Sequence, residues 1–414
     1  MKVKTLLFVL LVFSALQIPA FGQDAAMLSR QGDSLYYIKD YEGSISRYEA
    51  SLLLDPASAD VVYNAACVYS LMHRPDDAFG KLELLPGLGY ENVKWISADT
   101  DLESLHGDSR WKPLIEKLQV NLNRRKDISV MKIVTSDIDN FWNMYDVYKS
   151  TGKAEDINRL YFDKKSPGLD AFTRVRVINA AEMDTVLKLY PKYIESIRMN
   201  TLKLAGIKDK LKEYFLKLKE IYPDVYYPDI YFTMGCFNTG GTVSGRMLLI
   251  GSEMMCADRN SPKEELSDWL KGNIGDFENI EQIVMHESIH TLQSSNPKTL
   301  LGASIREGAC DFIASMVTGN ELSSAHYVYG SKYEKGLWKE FRNEMNGNKY
   351  SRWLYSGDNS VGRPSDLGYF MGYKICEAYY ENAADKKQAV KDIIEVQDFE
   401  TFLNKSRYEE KFKP

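Results

Sequence analysis

Ile283-Val284-Met285-His286-Glu287-Ser288-Ile289-His290 is the stretch from which the rest of the chain can be read. At 3.6 residues per turn, helical positions four apart lie one above the other, so the imidazoles of His286 and His290 can reach one Zn²⁺ as neutral donors. Glu287 lies one position on and points to the side, where a carboxylate acts on a metal-bound water rather than on the ion, which makes it the candidate general base. Ile283, Val284 and Met285 before the motif and Leu292 after it describe a buried helix with a polar notch. Asp276 is placed as its N-cap, with Glu278 and Glu281 in the first turns, so a helix is expected from about Phe277 to Ser294.

Two histidines do not complete a zinc site, and the third donor comes from further along. Arg306-Glu307-Gly308-Ala309-Cys310-Asp311-Phe312 opens a second helical pattern that runs through Ile313, Met316 and Val317 to a stop at Gly319. Glu307 can complete a His₂Glu set for one zinc ion per chain. Asp311 follows one turn later on the same helix, placed to accept the free N–H of a ligand histidine and fix its tautomer. An oxyanion donor would come from His326, Tyr369 or Tyr373. Tyr369 and Tyr373 stand one helical turn apart and read equally well as core aromatics, while His326 reads better as a structural or exposed helix residue.

The spacing Glu307-x-x-x-Asp311 after His286-Glu287-x-x-His290 resembles the gluzincin metallopeptidases. A closer similarity is to a family of predicted bacterial zinc-dependent proteases. It is carried by Thr135-Ser136-Asp137-Ile138-Asp139-Asn140-Phe141-Trp142, Gly240-Gly241-Thr242, the histidine motif, Glu307-Gly308, and Gly368-Tyr369 with Gly372-Tyr373. The resemblance implies an α+β zincin-like metallopeptidase domain over residues 132–408. It also implies a peptide or protein substrate, and attack by a zinc-bound water on a carbonyl polarised by zinc and by Tyr369 or Tyr373. A metzincin is excluded, because the glycine and histidine it would carry are here Gln293 and Asn296.

Around the motif, Tyr226 to Met234 and Val243 to Met254 are rich in Ile, Tyr, Val and Leu, and Asn238-Thr239-Gly240-Gly241 separates them, which reads as a β-hairpin with a longer loop. Its edge could take up an extended peptide or simply pack. Ile138, Phe141, Trp142 and Tyr145 form an apolar stripe after a Thr-Ser-Asp cap, and the stretch from Glu182 to Leu218 reads as further helix.

The first residues combine Lys2 and Lys4, an apolar run from Leu6 to Ala15 and small residues at Ala20-Phe21-Gly22, the parts of a secretory signal peptide over residues 1–22. No cysteine stands at that boundary, so no lipid attachment is expected there. A secreted or periplasmic protein without a membrane span is expected. Loss of the two lysines takes the formal charge from −6 to −8, a balance that disfavours nucleic acid as a partner. The cysteines, Cys67, Cys236, Cys256, Cys310 and Cys376, form no zinc ribbon and no framework, although Cys236 and Cys256 flank the hairpin and could pair.

Residues 24–120 read as a separate module. With a period of about 34 residues, Gly32, Tyr41, Ser44, Tyr48 and Pro56 fall on the small and aromatic positions of a tetratricopeptide repeat. Ala66, Tyr69, Ala78 and Leu82 follow in a second copy, and Asp101-Leu102 through Trp111, Leu114 and Leu118 form a capping third unit. Residues 121–131, with Arg124-Arg125-Lys126, read as a solvated linker. The expected fold is therefore mainly α, with TPR-like repeats before an α+β domain that holds a small sheet. The leading reading is a secreted zinc metallopeptidase. The alternative is a scaffold that binds a protein partner through its repeats and carries a structural or inactive zinc site.

Overall fold

The computed structural model describes residues 25–355 and 362–413; the expected signal peptide lies outside them. The protein is mainly helical with one small four-stranded sheet. Among the described residues no helix is long and apolar enough to cross a membrane. The chain divides into two compact units, one formed by residues 25–89 with Asp99–Leu114, the other by Tyr90–Ala98 and the residues from Ile115 onward.

The smaller unit is built from paired helices: Ala25–Tyr37 with Tyr41–Leu54, then Ala59–Leu71 with Pro75–Leu82. The first pair meets at Gly32, where a Cβ would lie 2.5 Å from the ring of Tyr48. Ser44 Oγ donates to the Gly32 carbonyl at 2.9 Å and Tyr48 OH donates to Asp33 at 2.7 Å. Ala65, Ala66 and Val68 are wholly buried in the next helix. The stretch expected as a third helical unit begins as a 3-10 turn, Thr100–Leu105, and continues as helix Trp111–Arg124. The segment expected as a linker thus starts inside a helix, and Arg125 is not solvated. It pairs with Glu91 at 2.9 Å and with Asp229 at 2.9 Å, all three carried by the larger unit.

In the larger unit the strands run in the order β1 (Ile133–Val134), β2 (Asp229–Thr233), β4 (Met247–Gly251), β3 (Gly241–Ser244). β1 and β4 both lie parallel to β2, and β3 alone is antiparallel, to β4. The two apolar runs expected to pair as a hairpin are therefore neighbours of parallel sense. The hairpin is the tighter one between β3 and β4, turning at Gly245, which has φ +56. The reason lies in burial: all of β2 and nearly all of β4 are buried, as parallel strands covered on both faces are. Cys236 and Cys256 do not pair, and all five cysteines are free and buried. Helix Ser136–Thr151 buries Ile138, Phe141, Trp142 and Tyr145 as its stripe predicts, but the stretch from Glu182 to Leu218 is broken into shorter helices, one of them beginning at Pro191.

Helix Leu300–Thr318 is the axis of this unit. It begins six residues before the expected Arg306, capped by Thr299, whose side chain accepts from Gly302 N, and it ends at Gly319 with φ +76. It is apolar almost all round and buried accordingly. Helix Leu367–Asn382 crosses it closely, because a Cβ on Gly372 would lie 1.7 Å from the Ser304 carbonyl oxygen and one on Gly308 would lie 2.1 Å from Tyr373 N. Helix Ile280–His290 also packs against it and reaches β3 and β4. It is shorter than expected: Phe277–Asn279 is a 3-10 turn, and the helix stops at His290.

Candidate metal centre

Two helices bring the polar residues together. His286 and His290 stand on consecutive turns of Ile280–His290, with ring centroids 4.9 Å apart. Glu307 comes from the axial helix and turns its Oε2 between them, 3.1 Å from His290 Nε2 and 3.5 Å from His286 Nε2. Both Nε2 atoms thus converge on one carboxylate oxygen, the layout in which a single cation could take all three as donors.

Each of these side chains is held by a partner of its own. Asp311 Oδ1 lies 2.7 Å from His286 Nδ1, which assigns the proton to Nδ1 and leaves Nε2 as the donor. Tyr327 OH supports the same carboxylate, donating to Asp311 Oδ2 at 2.5 Å. Gln293 Oε1 lies 2.8 Å from His290 Nδ1, and its Nε2 donates to the Arg306 carbonyl at 2.9 Å. Tyr355 OH donates to Glu307 Oε1 at 2.8 Å. Asp311 was legible from the sequence; Gln293, Tyr327 and Tyr355 were not. Gln293 lies three residues past His290, where the helix has already ended, and Tyr327 and Tyr355 come from segments that carry no motif.

Burial of His286 works against its charged form, but Asp311 and Glu307 outweigh it and hold the imidazole pKa well above 6.5. For Glu307 burial acts upward, yet His290 and His286 outweigh it and hold the carboxyl well below 4.5. Cys310 is a rival third donor, with Sγ 3.3 Å from His290 Nδ1. It is the weaker one on two grounds. Its sulfur is on the Nδ1 side, where Gln293 already stands, and burial pushes the thiol pKa well above 9.0, so the thiolate that binds metal is disfavoured.

The remaining expected residues fall in different places. Glu287 lies against β3, where a Cβ on Gly241 would come within 2.7 Å of its side chain, which accounts for the glycine there. Tyr369 stacks its ring on His286, centroids 6.0 Å apart at 22°, and burial raises its pKa well above 10.0. Tyr373 packs in an aromatic cluster with Phe312 and Tyr327, each at 5.5 Å. His326 is a ring removed from the site, beside Tyr327 and Tyr369, and burial lowers its pKa.

No solved structure matches the chain. A similar curated protein is a chloroplastic protein from Arabidopsis thaliana, 30% identical over 95 residues, which covers 22% of this chain and 28% of that protein. The chain thus spans little more than a quarter of that relative's length. The sequence model described as "Gliding motility protein GldB" matches residues 108–410, well over half of the chain. This match overturns the expected kinship with gluzincin metallopeptidases and with predicted zinc-dependent proteases, and with it the metallopeptidase reading. The physical reason is that the histidine spacing is set by helix geometry and ligand reach; it selects a set of donors, not a reaction. The roles of Glu287 as general base and of Tyr369 or Tyr373 as oxyanion donor lose the reaction they served. The matched family is one of lipoproteins, in keeping with an extracytoplasmic location, and the expected signal-peptide boundary at Gly22 finds no support in it. The chain belongs to the family of the gliding motility protein GldB.

Proposed function

We propose that this chain is an extracytoplasmic structural component serving gliding motility, in which His286, His290 and Glu307 hold one zinc ion that braces the core of the larger unit. The observation that carries the reading is the convergence of both Nε2 atoms on Glu307 Oε2 at 3.1 and 3.5 Å, with a separate partner behind every donor. Oriented outer partners of this kind are characteristic of metal ligands. A bound ion would tie helix Ile280–His290 to the axial helix and so contribute directly to folding stability. The smaller unit of paired helices supplies a surface for a protein partner. Support for the gliding role is the family match alone; support for the metal is the geometry.

The test is the zinc content of the purified chain, by elemental analysis, beside a His290→Ala variant. About one zinc per chain, lost in the variant, is the expected result. No uptake after reconstitution would remove the metal from the proposal. In a gliding host that lacks its own copy, the original chain is expected to restore gliding and His290→Ala to restore it poorly. Failure of the original chain would count against the gliding role.

A further inference from the structure

The axial helix Leu300–Thr318 carries three charged side chains, Arg306, Glu307 and Asp311. Glu307 is engaged by His290 and Tyr355, and Asp311 by His286 and Tyr327. Arg306 differs. Its Nε is shut off from water without a hydrogen-bond partner, and no carboxylate among the described residues pairs with its guanidinium. A guanidinium stays charged at every pH a protein meets, and burying part of it unpaired is costly. Orphaned polar atoms of this kind in native proteins point to a missing ion, ligand or water.

The charge also lies beside the site. Arg306 directly precedes Glu307 on the axial helix. The Arg306 carbonyl accepts from Gln293, the residue that also faces His290. A planar fork of N–H donors fits carboxylate and phosphate groups in two-pronged fashion.

We propose that Arg306 holds the carboxylate or phosphate group of a ligand at the rim of the metal centre. The proposal rests on that centre for the ligand's second point of attachment, not for the anion contact.

The experiment titrates acetate and, separately, inorganic phosphate into the full chain by calorimetry, with zinc content read on the same samples. Saturable binding of at least one anion is expected. It should weaken roughly tenfold or more in Arg306→Gln and persist in part in Arg306→Lys, with the zinc content of both variants unchanged. The lysine variant keeps the charge, so a loss in Arg306→Gln that lysine restores is not a folding defect. No saturable binding of either anion, or equal binding in Arg306→Gln, overturns the proposal. Arg306-dependent binding by a chain that takes up no zinc supports the anion contact and rejects the metal centre, which separates the two. The acetate and phosphate arms tell a carboxylate ligand from a phosphate one.

Discussion

Tyr355 donates its hydroxyl to Glu307 Oε1 at 2.8 Å, on the opposite oxygen from the one that faces the two histidines. The phenol therefore fixes the rotation of the carboxylate without occupying the oxygen a metal would use. Tyr355→Phe is expected to keep zinc stoichiometry but lower affinity by about tenfold or more, as loss of an outer partner does. Competition with a chelator measures it, and an unchanged affinity would show that Tyr355 has no positioning role.

Asp311 performs the corresponding task for His286, at 2.7 Å and with Tyr327 behind it. Asp311→Asn keeps the shape but can present an amide N–H to Nδ1, which favours the tautomer with its proton on Nε2. Zinc affinity should fall roughly tenfold to a hundredfold. The Tyr327→Phe variant should fall less, and the reverse order would contradict the assignment.

The crossing of the axial helix with Leu367–Asn382 depends on Gly372, where a Cβ would meet the Ser304 carbonyl at 1.7 Å. Backbone cannot step aside as a flexible side chain can, so Gly372→Ala should destabilise the chain by about 3 kcal/mol or more. Glu307 sits on the helix that must shift, so zinc affinity should drop with it. Denaturant unfolding within roughly 0.5 kcal/mol of the original chain would rule out so close a crossing.

Arg125 bridges Glu91 and Asp229 with side chains between 8% and 19% exposed. Arg125→Met leaves two shielded carboxylates without their cation and should cost about 3 kcal/mol. Substituting Glu91 to Gln as well should recover part of that loss. A double variant no better than the single one would show that the charge of Glu91 is not what is left uncompensated.

Glu253 is fully buried and accepts from Gly235 N at 2.7 Å and Phe237 N at 3.0 Å, yet burial outweighs these bonds and raises its pKa from 4.5 to about 7. A raised folded-state pKa means that the folded chain binds the proton more tightly than the unfolded one. The contribution to stability is therefore complete below about pH 4.5 and is lost as pH rises to about 7, a change of roughly 3 kcal/mol. Stability of the original chain relative to Glu253→Gln should decline across that window. A difference that stays flat with pH would reject it.

The sequence by itself determined the apolar stripe of helix Ser136–Thr151 and singled out His286, His290 and Glu307 as candidate donors. The spacing of His286 and His290 follows from helical periodicity, and the stop at Gly319 from a residue that accepts a left-handed backbone. The small residues at Gly32 and Ser44, with Tyr48 opposite, follow from the need of paired helices to approach closely. These are properties of neighbours along the chain, and short-range geometry suffices to read them. Tertiary structure decided the rest. Whether β2 joins β4 in parallel or antiparallel sense depends on where the intervening chain runs. Arg125 is an ion-paired residue because Glu91 and Asp229 arrive from distant positions. Gln293 reaches His290 only because the helix ends there, and Tyr355 reaches Glu307 from another segment altogether. Such contacts leave no periodic signature, since each is fixed by packing across the fold and not by the residues on either side.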